Sequence, residues 1–286
     1  MSRIGSNRPV AWLFCGDKHA GSKLAPLVNF TDADGVNYSP SRLQAVLNGY
    51  AAEILSEVKT LVKGCDVVVG FGGDLVDGVS HHGTTQTIGN HNDQRDLAVE
   101  LLRPWLNLAG KAYGLLGTDA HVGDNGQADT SVCKELGVEA RHHWRIETGG
   151  RLLDWAHHIS GNRRFPESAA LNLAKRISDD ISKRNREIDR LGGGQHERIP
   201  DMVVRHHMHV YAATKFEETQ SVIVPGWQAQ TSYTRKLDPA GLLSVGCVVW
   251  WPSRGEVRPV VRHFPSDEIV RVDFAKAPAR TAAVAR

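Results

Sequence analysis

The chain has 286 residues, of which 41% are hydrophobic and 23% charged, with a formal net charge of +2. That length supports one large buried core, the composition excludes a disordered or fibrous chain, and the charge is too small to imply a nucleic-acid partner by bulk electrostatics while leaving room for a local basic patch. No apolar stretch approaches the roughly 20 residues needed to cross a bilayer, and the early run "VAWLF" is too short for a signal-peptide core. Cys15, Cys65, Cys133 and Cys247 stand singly, without the spacing of a thiolate zinc site or a disulfide framework. A cytoplasmic protein is expected.

In chain order, "VAWLF" at 10–14 reads as a buried strand that stops at the polar "CGDKH". Leu43, Val46, Leu47, Tyr50, Ile54, Val58, Leu61 and Val62 recur at helical spacing, which predicts a long amphipathic helix over 39–64, capped by Ser41 and stopped by Gly64. "DVVVGF" at 66–71 is a second buried strand running into "GGDLVD". A polar loop to about 91, a helix over about 92–109 and a third strand, "KAYGLL" at 111–116, running into "GTDAH", complete the first half.

Strand, helix, strand, helix, strand is the pattern of a parallel sheet covered by helices, with ligands beyond the carboxyl ends of the strands. All three strand ends carry Asp or His. From 145 onward strands dominate, interrupted by one helix within 165–194 whose apolar side is Leu173, Ile177, Ile181, Ile188 and Leu191 and whose outer face is rich in Lys and Arg. "MVVRHHMHVYAA", "SVIVPGW", "LLSVGCVVWW" and "VRPVVRHF" read as strands of a second sheet.

Fourteen histidines are the unusual feature of the composition, since imidazole is the commonest metal ligand. Asp17 and His19 in "GDKH" form a D-x-H triplet that on its own could cap a turn. Asp74 and Asp77 in "GGDLVD" end a strand too apolar for a surface loop. His157 and His158 end the run "LLDWA", and His207 and His209 sit two apart at a predicted strand end, which would point both to one side.

The ordered set of D-x-H, G-D-x-x-D, a His after the third strand, a strand-final His and H-x-H resembles the calcineurin-like metallophosphoesterase family, and specifically its compact branch often carried by bacteriophages. The motifs span roughly residues 10–212. The resemblance implies an α/β fold: a β-sandwich of two mixed sheets flanked by helices, in four layers α/β/β/α. It would be a single domain over 1–286, with a helical insertion at about 162–195 and a frayed tail at about 275–286.

It also implies two divalent ions held where strand ends converge. Asp17, His19 and His209 would bind the first, Asp74 would bridge both, and His207 with His157, or else His158, would hold the second. Oxygen and imidazole donors suit manganese, iron or zinc. A pair of ions about 3.5 to 4 Å apart lowers the pKa of a water and neutralises phosphate oxygens.

The family's third motif, Gly-Asn-His, is spelled by residues 89–91, but there it follows a polar stretch and no strand. "GTDAH" has the location, with the Asn missing. His121 is therefore expected to be the general acid, oriented by Asp77, with Thr118 or Asp119 in place of the Asn ligand. His82, Asn90 and His91 could line the substrate mouth, and Arg205, Arg235 and Lys236 could meet phosphate.

The expected activity is hydrolysis of a phosphodiester or phosphomonoester, with a nucleotide or nucleic acid as substrate by analogy with the phage-type branch. A nuclease of the same fold and a non-catalytic metal-binding scaffold are the alternatives.

Overall fold

A computed structural model describes residues 8–78, 86–123, 126–159, 165–229 and 244–263. His82, Arg235, Lys236 and the tail lie outside the described residues.

The chain begins with β1 (Val10–Cys15), a small hairpin of β2 (Phe30–Thr31) and β3 (Asn37–Tyr38), and α1 (Arg42–Leu61). Ser41 caps α1 in a reciprocal box with Gln44, as its sequence position predicts. Then come β4 (Asp66–Phe71), α2 (His91–Leu106), β5 (Lys111–Leu115), the single turn α3 (Asp119–Val122) and α4 (Gln127–Glu135). The short strands β6 (Glu139–Arg141), β7 (His143–Thr148) and β8 (Arg151–Ala156) lead to the long helix α5 (Pro166–Arg190). Strands β9 (Met202–Arg205), β10 (Ala212–Phe216), β11 (Thr219–Ile223), β12 (Ser244–Trp251) and β13 (Glu256–His263) follow.

Two mixed sheets result, of six strands in the order β13-β12-β1-β4-β5-β6 and of five in the order β10-β11-β9-β8-β7. Strands β1, β4, β5 and β6 run parallel, so their carboxyl ends open onto one edge. Alternation along β1 explains the layering. Ala11, Leu13 and Cys15 face α1, α2 and α4, whereas Trp12 and Phe14 face the other sheet and meet Trp155 of β8.

Helix α5 closes the outer face of the five-stranded sheet, with Ala170 and Leu173 packed on Val203, Ala212 and Ile223. It is a layer of the sandwich and not an appendage. Its predicted apolar stripe ends early, for Leu191 is 75% exposed. The four-layer α/β/β/α arrangement is the one expected from the sequence.

Candidate metal centre

Strands β1, β4, β5, β8 and β9 deliver their following loops to one edge of the sandwich. Three trios of donors form there, each with one ligand atom per residue and all atoms within 4.8 Å of one another. They are Asp17, His19 and His209; His19, Asp74 and His121; and Asp74, His157 and His207. His19 and Asp74 each belong to two trios, so the sets adjoin.

Local backbone explains how these side chains converge. Among the described residues five non-glycine positions have positive φ, and four of them are His19 (47°), Asp74 (47°), His207 (70°) and His209 (55°). Such conformations cost of order 1–3 kcal/mol each and persist where surrounding structure fixes them. Strand β9 ends at Arg205, so the expected strand alternation of His207 and His209 does not apply. The loop sends them to different trios: His209 Nε2 lies 3.1 Å from Asp17 Oδ2, and His207 Nδ1 lies 3.9 Å from Asp74 Oδ2.

The donors face one another in a way that calls for a cation. His19 Nε2 and His209 Nε2 approach to 3.1 Å beside the Asp17 carboxylate, and buried Asp17 Oδ1 has no hydrogen-bond partner among the described residues. His157 Nδ1 donates to the Gly72 carbonyl at 2.6 Å, which leaves Nε2 directed at Asp74 Oδ2, 3.1 Å away. A ligating imidazole is commonly oriented through its second nitrogen in this manner. His158 is exposed, its ring 5.0 Å from that of His207, so His157 is the member of the pair placed among the donors.

Charge follows from the same contacts. Burial disfavours the Asp17 and Asp74 carboxylates, yet surrounding imidazoles, His157 foremost, hold both below the usual range. Burial likewise opposes a charge on His157, but Asp74 and Asp17 override it and push its pKa up to about 10. In the metal-free chain, then, a proton on Nε2 stands where a cation would bind.

The sign of the pH dependence follows. His157 contributes stability that is fully present below its ordinary 6.5 and is lost as pH rises toward about 10. Asp17 and Asp74 contribute stability present above 3.8 and lost as pH falls through their depressed values. The melting temperature of metal-free protein is expected to fall between pH 6.5 and 10 while divalent-ion affinity rises, because binding displaces that proton. Melting curves and calorimetry across the range check both, and flat profiles would contradict the arrangement.

After β5 the chain runs Gly117, Thr118 and α3. Thr118 N and Oγ1 donate to Asp74 Oδ1 at 2.7 and 3.1 Å, while Asp119 is exposed in the first turn of α3. Thr118, then, is the residue set against the shared carboxylate. His121 stands edge-on to His19, with ring centroids 4.4 Å apart. Its Nδ1 donates to the main-chain carbonyl of Asp77 at 2.9 Å, whereas the Asp77 carboxylate faces His19 Nδ1 at 3.4 Å and accepts from Gln228. The expected orientation of His121 by Asp77 thus runs through backbone.

Three expected substrate contacts are placed elsewhere. Asn90 is the N-cap of α2, its side chain accepting from Asn92 N at 2.8 Å, and His91 is the exposed first residue of that helix. The "GNH" letters spell a helix start. Arg205 is buried and its guanidinium pairs with Asp154 at 2.7 Å and donates to the carbonyls of Asp154 and Val204. It is directed into the second sheet.

Sequence reading missed His206, Gln94, Gln228 and Asp129. Trp155 Nε1 donates to His206 Nε2 at 2.9 Å, which puts the proton of the neutral ring on Nδ1, 3.7 Å from Asp17 Oδ1. A Cβ at Gly72 would lie 2.2 Å from that ring, so only glycine fits there. Gln94 holds both main-chain groups of Gly78, and Gln228 Nε2 joins Ser22 to Asp77. Each residue acts by joining loops distant in sequence, and no spacing marks it.

No protein-family model matches the chain, and no curated protein matches it. Solved structures resembling it include an archaeal phosphodiesterase, 9% identical over 88% of this chain and 99% of that one, with a TM-score of 0.42. Vps29 from Entamoeba histolytica complexed with zinc is 11% identical over 89% of this chain and 99% of its own, with a TM-score of 0.36. A protein from Streptococcus pneumoniae described as a predicted phosphoesterase is 11% identical over 91% and 99%, with a TM-score of 0.30. At this distance the likenesses carry no assignment of activity.

Proposed function

We propose that this protein is a metal-dependent phosphoesterase with a dinuclear centre, acting on a phosphodiester or phosphomonoester of the nucleotide or nucleic-acid class. The observation that carries the reading is the sharing of Asp74 and His19 between adjoining trios of carboxylate and imidazole donors. Asp17, His19 and His209 would hold one ion, His157 and His207 the other, and Asp74 would touch both. The donor set lacks thiolate and suits manganese, iron or zinc.

When bound, two such ions lower the pKa of a water and neutralise phosphate oxygens in an in-line displacement. The protein's part is positional and acid-base. His157 is oriented by the Gly72 carbonyl and His19 by Asp77, so that both present Nε2 inward. His121, half-buried beside His19 and tethered through its Nδ1–H, donates to the departing oxygen from Nε2 as the imidazolium, a form that burial and His19 disfavour in the metal-free chain. Among the described residues no helix is long and apolar enough to cross a membrane.

The test is hydrolysis of bis(p-nitrophenyl) phosphate by metal-stripped protein reconstituted with manganese, with bound metal counted in parallel. Two ions per chain and turnover that disappears on chelation are expected. Two ions with no hydrolysis of this or any nucleotide ester would make the protein a metal-binding scaffold, and no bound metal would overturn the reading.

A further inference from the structure

We infer that Asp129 is a positioning residue that fixes the separation of Asp74 from the His121 loop, an inference that rests on the dinuclear reading. Asp129 lies on α4, outside every motif, and is wholly buried. Its Oδ2 accepts the main-chain N–H of Asp74 at 3.0 Å and of Gly117 at 2.8 Å, and its Oδ1 accepts that of Leu75 at 2.9 Å. The three donors belong to two loops, one carrying Asp74 and Asp77 and the other carrying Thr118 and His121.

The pairing of β4 with β5 ends at Phe71 and Gly114, so beyond that point the ladder no longer sets the distance between the chains. Asp129 takes over where the ladder stops. Its grip falls on Asp74 in its positive-φ conformation and on Gly117, where an added Cβ would lie 2.1 Å from Asp74 Oδ1. The loops therefore meet with no room to adjust, and Thr118 N reaches Asp74 Oδ1 at 2.7 Å as a result.

Chemistry explains why the clamp is an acid although it sits beside another acid. Burial and the neighbouring Asp74 charge push the Asp129 pKa up to about 7, against the pull of the N–H groups it holds; ionised, it offers two acceptor oxygens and no donor, whereas the amide of Asn would turn an NH2 group toward a buried N–H. The clamp needs both oxygens for its three donors.

Calorimetric titration of metal-free wild type, Asp129→Asn and Asp201→Asn with manganese tests this. Asp201, which accepts Leu152 N at 2.8 Å and pairs with Arg198, controls for lost stability away from the site loops. Wild type is expected to bind two ions, Asp129→Asn to bind them ~10- to 100-fold more weakly, and Asp201→Asn to bind as wild type does. Equal affinity in wild type and Asp129→Asn overturns the inference alone, as does a parallel loss in Asp201→Asn. Absence of binding in wild type overturns the dinuclear reading with it.

Should Asp129→Asn fail to fold, amide hydrogen exchange of the wild type decides. The amides of Asp74, Leu75 and Gly117 should share slow exchange, and rapid exchange at any of them overturns the clamp.

Discussion

Asp74→Asn is expected to lower turnover of a phosphate ester about 10³-fold or more and to remove at least one bound ion per chain. The magnitude follows from losing metal-borne charge stabilisation worth several kcal/mol, at about 1.4 kcal/mol per tenfold in rate. Structure gives the reason that a near-isosteric change is so costly. Asp74 Oδ1 accepts from Thr118 N and Oγ1, while Oδ2 faces His157 Nε2 at 3.1 Å and His207 Nδ1 at 3.9 Å. An amide placed there turns its NH2 either onto the Thr118 donors, which leaves them facing a donor, or into the imidazoles, which removes the inward-facing acceptor, and in both cases the negative charge is lost.

The same substitution has a second signature that needs no substrate. Asp74 is the strongest favourable influence on the charge of His157, so without it the His157 pKa falls back from about 10 and the alkaline decline of metal-free stability shrinks. Metal counts, turnover and the pH profile of melting should change together. An Asp74→Asn protein that retains two ions and turnover within tenfold of wild type would sink the shared-carboxylate reading.

What the sequence disclosed and what it concealed divide along physical lines. Alternating and helical patterns depend on neighbours in the chain. β4 was accordingly predicted at its observed bounds, and α1 was predicted with its Ser41 cap. The donor types at the strand ends were legible for a related reason, since a parallel sheet directs its carboxyl ends to one edge.

The expected alternation of His207 and His209 failed because the chain leaves the strand at Arg205 and both residues take left-handed conformations that no local pattern announces. Short elements such as α4 escaped for the same reason. α4 holds few buried residues, and Asp129 among them gains its meaning from one loop more than 50 positions earlier in the chain and another 12 positions earlier. Arg205 shows the opposite error. A cation next to a ligand motif invites a phosphate role, but at the end of β9, two residues beyond Val203, which registers with Asp154 of β8, its side chain finds a partner inside the sheet.

His121→Ala and His91→Ala are expected to part company on esters that differ in their leaving group. A general acid contributes about 10²- to 10⁴-fold where the departing oxygen is basic, as in an alkyl ester. The p-nitrophenolate ion is a weak base that departs with little need of a proton, so His121→Ala should lose far more on the alkyl substrate than on the aryl one. Retained metal stoichiometry in that variant would separate proton donation from ligation, a distinction that matters because His121 also stands in a trio with His19 and Asp74. His91 is the exposed first residue of α2, behind an Asn90 already engaged in capping, and its removal should leave both substrates within experimental error of wild type. If His91→Ala instead showed the leaving-group dependence, the proton donor would come from the loop that spells the familiar letters, and the reading of "GTDAH" as its displaced counterpart would be wrong.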